Sequence, residues 1–107
     1  KLKRFVKNYA GFINEYGAPD VCIATNWPVM CVVAETVRRI LKSDYKIISW
    51  VHSSIAEYKK AGLGGIDEML CADAHLCISR NNERHLLEYG KNESILCWKP
   101  GYYAAIY

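Results

Sequence analysis

Apolar residues along the chain fall into two alternating spacings. From Leu2 to Tyr16 they stand at Leu2, Phe5, Val6, Tyr9, Phe12, Ile13 and Tyr16, the threes and fours of one helix face. Gly17, Ala18 and Pro19 end that helix. "DVCIAT", Asp20 to Thr25, is a short apolar run of strand length. Pro28 suits the first turn of a second helix, where its missing N–H is no loss, and Val29, Val33, Val37, Ile40 and Leu41 carry the helical spacing to about Lys42. Ser43-Asp44 is a turn signal.

A second strand follows in "YKIISWV", Tyr45 to Val51. After His52-Ser53-Ser54 comes a mixed stretch with a glycine-rich break, Gly62-Leu63-Gly64-Gly65, and then a short helix holding Ile66, Met69 and Leu70. "HLCIS", His75 to Ser79, predicts a third strand, and Asn81 to Tyr89 a helix with Gly90 as its left-handed cap. "SILCW", Ser94 to Trp98, is the fourth strand, broken by Lys99-Pro100-Gly101.

The order is α-β-α-β-α-β-α-β. Strands that are continuously apolar, without a two-residue period, indicate a parallel sheet covered on both faces, and right-handed crossovers place successive strands side by side. The expected fold is therefore α/β: a Rossmann-like parallel sheet of about four strands with helices on both faces. A layer that opens on a helix and leaves two sheet edges exposed predicts further sheet upstream. Residues 1–107 are accordingly read as one Rossmann-like unit, a fragment of a larger two-domain protein.

Composition fits that picture. The chain has 107 residues, 51% hydrophobic and 23% charged, enough for one domain to bury a core. Its longest mostly apolar run, Val21 to Ala34, is interrupted by Thr25, Asn26 and Pro28, which excludes a membrane span of roughly 20 residues. The net charge of +3 is too mild to imply nucleic acid. Basic residues cluster at Lys1, Lys3, Arg4 and Lys7, and again at Arg38, Arg39 and Lys42. The first cluster could meet a membrane surface or be the solvated edge of a helix packed on the sheet, the reading preferred here. Five cysteines, an odd number with no C-x-x-C pair, read as reduced structural thiols in a reducing cytoplasm. Their spacing with the histidines does not suit zinc.

In an open parallel sheet, ligands bind beyond the carboxyl ends of the strands. Those ends here are Thr25-Asn26-Trp27, His52-Ser53-Ser54, Ser79-Arg80-Asn81 and Lys99-Pro100-Gly101, all polar. Helices starting near Pro28 and Asn81 would aim N–H groups at the same edge, which favours an anion; Ser79, Asn81 and Asn26 could equally be plain helix caps. His52 is the leading candidate for chemistry, able to donate to a phosphate or accept a hydroxyl proton near neutral pH. His75 and His85 are read as structural or solvated. "GLGG" is a flexible loop, since a phosphate loop would follow its strand directly.

Taken in order, "PDVCIAT", "IISWVHSS", "ADAHLCIS" with "ERHLLEYG", and "SILCWKP" resemble the second half of the N-terminal domain of family-4 (group 1) GT-B glycosyltransferases, and within them the bacterial lipopolysaccharide core galactosyltransferases. The resemblance runs from about Pro19 to Pro100. It implies a retaining enzyme that moves a hexose from a nucleotide-sugar, such as a UDP-hexose, to a lipopolysaccharide or other glycan or glycolipid acceptor. By the same resemblance His52 faces the reacting sugar or the donor phosphates as the catalytic residue. Ser53 and Ser54 line the acceptor side, Asn26 and Trp27 border the acceptor, and Ser79 and Arg80 end the third strand. Lys99 stands where such enzymes usually have Asn-Pro or Pro-Asn-Gly, so its role as a substrate contact departs from the pattern. No metal or other cofactor is implied. The Gly-rich first loop and the C-terminal donor-binding domain are missing, and the piece alone is expected to be inactive. The implied location is cytoplasmic, with peripheral contact at the inner face of the cell membrane. Two other readings stay open: a non-catalytic Rossmann-like module binding an anionic small molecule, and an interaction subunit whose partner supplies the second domain.

Overall fold

The structure, a computed structural model, describes residues 2–51, 53–77, 80–89 and 95–97. Its elements are α1 (Leu2–Tyr16), β1 (Val21–Thr25), α2 (Val29–Leu41), β2 (Lys46–Trp50), α3 (Ile55–Lys60), α4 (Ile66–Met69), β3 (Ala74–Cys77), α5 (Arg80–Tyr89) and β4 (Ile95–Cys97). The strands form one parallel sheet in sequence order, β1-β2-β3-β4. The mixed stretch after Ser54 thus holds a helix that the pattern does not announce. Six residues with two large apolar positions, Ile55 and Tyr58, give too little periodicity to read.

Burial divides the sheet into two unlike faces. Register puts Cys22 beside Ile47, Ala24 beside Ser49, and Ser49 beside His75. This row carries the core: Ala24, Ile47 and Cys77 pack with Cys31, Ala34 and Val37 of α2, Met69 of α4 and Leu86 of α5. On the opposite face Val21 and Ile23 are about half exposed, at 47% and 52%. The fold is α/β as expected, a parallel sheet flanked by helices, and the row of Ala24, Ile47 and Cys77 is the one they bury most deeply.

The amino-terminal edge of the sheet is fastened by charge. The Arg38 guanidinium donates to the Tyr45 carbonyl at 3.0 Å and to Asp73 Oδ2 at 2.7 Å, and the same oxygen accepts the Ile47 N–H at 2.8 Å. Glu35 takes the remaining side of Arg38 and also Arg39. Two residues of the second basic cluster are therefore ion-paired rather than presented to a partner. Burial works against the charge on Asp73, but the Ile47 N–H and Arg38 outweigh it and hold the carboxyl below its ordinary value.

Inside the covered face, Ser49 and His75 are both 1% exposed and share a 2.7 Å hydrogen bond between Oγ and Nδ1. Burial lowers the His75 pKa from its ordinary 6.5, so the folded ring is neutral at pH 7. The unfolded chain takes up the proton near 6.5; stability should be complete above that pH and decline as pH falls below it, towards the lower folded value. Urea midpoints measured between pH 7.5 and 5.5 check this, and a flat profile would contradict a buried neutral His75. Loss of the Asp73 contribution belongs to a separate, more acidic window, beginning below its ordinary 3.8.

Candidate functional site

At the carboxyl end of β1 the chain turns through Asn26, whose φ of 70° lies in the left-handed region that asparagine tolerates better than most residues. Its N–H donates to the Trp50 carbonyl at 3.1 Å, which stitches the ends of β1 and β2 together. Asn26 is exposed and does not cap α2, whose cap position is Pro28. Trp27 turns the other way: its ring meets Phe5 of α1 edge-on, 6.3 Å between centroids at 79°. Both residues line a cleft of about 530 Å³ walled by Phe5, Tyr9 and Phe12 of α1 and by β1.

The start of α2 does not serve an anion as expected. Val29 N–H donates to the Leu63 carbonyl, Met30 to Trp27 and Cys31 to Pro28, so the first amides are already engaged. The glycine-rich segment is what supplies Leu63. Gly64 has φ +93°, and a Cβ there would stand 3.0 Å from the Val29 nitrogen. "GLGG" is thus a turn shaped to close on α2, and not a phosphate loop.

At the end of β2, Val51 is buried, Ser53 exposed and Ser54 half-buried. Asn82 of α5, 3% exposed, reaches this turn: its Oδ1 accepts the Ile55 N–H at 3.1 Å and its Nδ2 donates to the Ser53 carbonyl at 2.9 Å. Ser54 lines a second, smaller cleft of about 230 Å³ with Asn81, Arg84, His85 and Glu88. Arg80 opens α5. His52, Ser79 and Lys99 lie outside the described residues.

Four positions named from the sequence, Asn26, Ser53, Ser54 and Arg80, therefore share the carboxyl edge of the sheet. Neighbouring strands stand about 4.8 Å apart, so β1 to β3 spans about 10 Å, the scale of a sugar or diphosphate. Among the described residues no single cavity gathers them, because Asn26 and Trp27 border one cleft and Ser54 the other. Nor does the strand order reverse, so the crevice that forms at a topological switch point has no place within β1 to β4. The edge is one wall.

Among the described residues no group of three or more His, Cys, Asp or Glu is placed to hold a metal ion. Cys22, Cys31, Cys71 and Cys77 are reduced, outside any disulfide. Burial pushes Cys31 up to about 12 and also raises Cys71, which keeps both protonated and poor nucleophiles. Asn82 is the residue sequence reasoning missed. Its one signal is the Asn81-Asn82 doublet, in which nothing marks the second member as the buried one.

No family model matches the chain. No curated protein matches it either. Among solved structures it is similar to a lipopolysaccharide outer core galactosyltransferase, WaaB, in its apo form. The TM-score is 0.75 and the identity 24%, over 89% of this chain and 25% of that one. The fold is accordingly that of part of a GT-B glycosyltransferase, and the chain spans about a quarter of the length of the protein it resembles. No helix among the described residues is long and apolar enough to cross a membrane.

Proposed function

We propose that this chain is the acceptor-side part of a retaining glycosyltransferase that moves a hexose from a nucleotide-sugar, such as a UDP-hexose, to a lipopolysaccharide or other glycan acceptor. The observation that carries the reading is the polar carboxyl edge, with Asn26, Ser53 and Ser54 brought to one side of a sheet whose fold is shared with a galactosyltransferase. Hydroxyl and carboxamide groups suit sugar hydroxyls, since each can both donate and accept. Departure of the donor diphosphate develops negative charge, which a histidine at position 52 and the cationic groups at 80 and 99 would stabilise. The opposite wall, which would hold the nucleotide, belongs in this reading to a second Rossmann-like domain. Work on such an acceptor places the protein peripherally at the inner face of the cell membrane.

The test uses the protein at its full natural length, with labelled UDP-hexoses and truncated lipopolysaccharide as acceptor. Transfer by the wild type is expected, and His52→Ala should lower its rate at least about tenfold. A variant with wild-type rate removes the role of His52. A wild type that transfers none of the hexoses, yet binds a nucleotide or other anion, favours a non-catalytic module.

A further inference from the structure

The turn after β2 is held in an unusual way. Ser54 occupies the cap position of α3, with φ −58° and ψ 132°, and serine is among the residues that commonly cap a helix with their own hydroxyl. Here it makes no side-chain capping bond. The first amide of α3, that of Ile55, donates to Oδ1 of Asn82, 27 positions along the chain. The other end of the same carboxamide donates to the Ser53 carbonyl. One planar group therefore pins a peptide on either side of Ser54.

We infer that Asn82 is a positioning residue: it fixes the Ser53–Ser54 turn from α5 and so sets where the Ser54 hydroxyl stands for a ligand. The catalytic consequence rests on the transferase reading; the clasp itself does not. Asn82 and Ile55 are well shielded, 3% and 1% exposed, so water is poorly placed to replace the bond between them. The arrangement also needs an amide at this position. A carboxylate could accept from Ile55 but would repel the Ser53 carbonyl, a serine could not reach both, and an aliphatic side chain would serve neither. Ser54 lines the smaller cleft with Asn81, Arg84 and His85, where donors and acceptors are mixed as a hydroxyl-rich ligand requires.

The experiment compares Asn82→Ala, Asn82→Asp, Ser54→Ala and Leu86→Ala in the protein at natural length, at a temperature where all four are folded. Hydrogen exchange at the Ile55 amide reads the clasp, and the rate of hexose transfer reads its consequence. Asn82→Ala should speed that exchange and slow transfer, each by about tenfold or more. In Asn82→Asp the Ile55 amide should stay protected while transfer still falls, because the bond to Ser53 is lost. Ser54→Ala should slow transfer and leave exchange unchanged. Leu86→Ala, which loses a core side chain of the same helix, should lower the melting temperature yet hold transfer per folded molecule within about twofold.

Unchanged Ile55 exchange in Asn82→Ala overturns the clasp. Fast exchange with wild-type transfer overturns the positioning role and keeps the clasp. If Leu86→Ala loses transfer as Asn82→Ala does, the effect is one of stability and the positioning role falls. A wild type without transfer refutes the transferase reading and the catalytic consequence together, while Ile55 exchange still decides whether the clasp exists.

Discussion

Ile47→Asp is expected to unfold the 107-residue chain, whereas Ile23→Asp, on the neighbouring strand, should leave it folded. The two positions are both isoleucines in the middle of apolar strands, and the sequence treats them alike. Ile47 is 0% exposed and lies in the core among the α2 residues, while Ile23 is 52% exposed. At Ile47 the change removes a buried aliphatic side chain, worth about 2–5 kcal/mol. It also buries a carboxylate with no partner, which adds several kcal/mol more or forces its protonation. The sum is comparable with the whole net stability of a small domain, about 5–15 kcal/mol. At Ile23 the carboxylate stays hydrated and the cost is lost strand propensity, about 1 kcal/mol. Circular dichroism and urea titration of the two variants decide the matter; equal destabilisation would mean that the Ile23 face is covered after all.

The same asymmetry explains what could and could not be read along the chain. Strand and helix positions were legible because each element carries its own periodicity. Observed boundaries at Leu2–Tyr16, Val29–Leu41 and Lys46–Trp50 lie within a residue or two of the apolar runs. The covering of the sheet was not legible from β1, where Val21 and Ile23 are as apolar as the buried row and hide the two-residue period. In β2 the polar residue, Ser49, is on the buried face because His75 of the next strand satisfies it across 26 residues. A local pattern contains no trace of that partner. The candidate site divides in the same way. Its edge follows from chain order, since parallel strands must all end on one side. Its internal wiring is tertiary: Leu63 closes the start of α2, and Asn82 closes the turn after β2. Each of those contacts joins segments that only the finished fold brings together.

Tyr45 gives the second large effect, and its two halves can be separated. The side chain is 1% exposed, its hydroxyl donates to the Ala34 carbonyl at 2.6 Å, and its ring meets Tyr9 edge-on at 6.2 Å. Burial is the chief cause that pushes its phenol up to about 12, so it remains a donor at any physiological pH. Tyr45→Ala removes the ring and opens a cavity between α1, α2 and β2, at a cost of about 3–5 kcal/mol by analogy with other buried aromatics. Tyr45→Phe keeps the ring and loses one hydrogen bond. The Ala34 carbonyl lies within α2 and retains its place in the helical ladder, so the loss should be about 1 kcal/mol. Urea midpoints of the two variants measure this split, and a phenylalanine as costly as an alanine would move the weight from the ring to the hydroxyl. Tyr45 precedes β2 at its amino end, about 16 Å of strand away from the carboxyl edge. Tyr45→Phe should therefore lower the midpoint while leaving hexose transfer per folded molecule unchanged, which separates the residue that holds the sheet together from those that serve its functional edge.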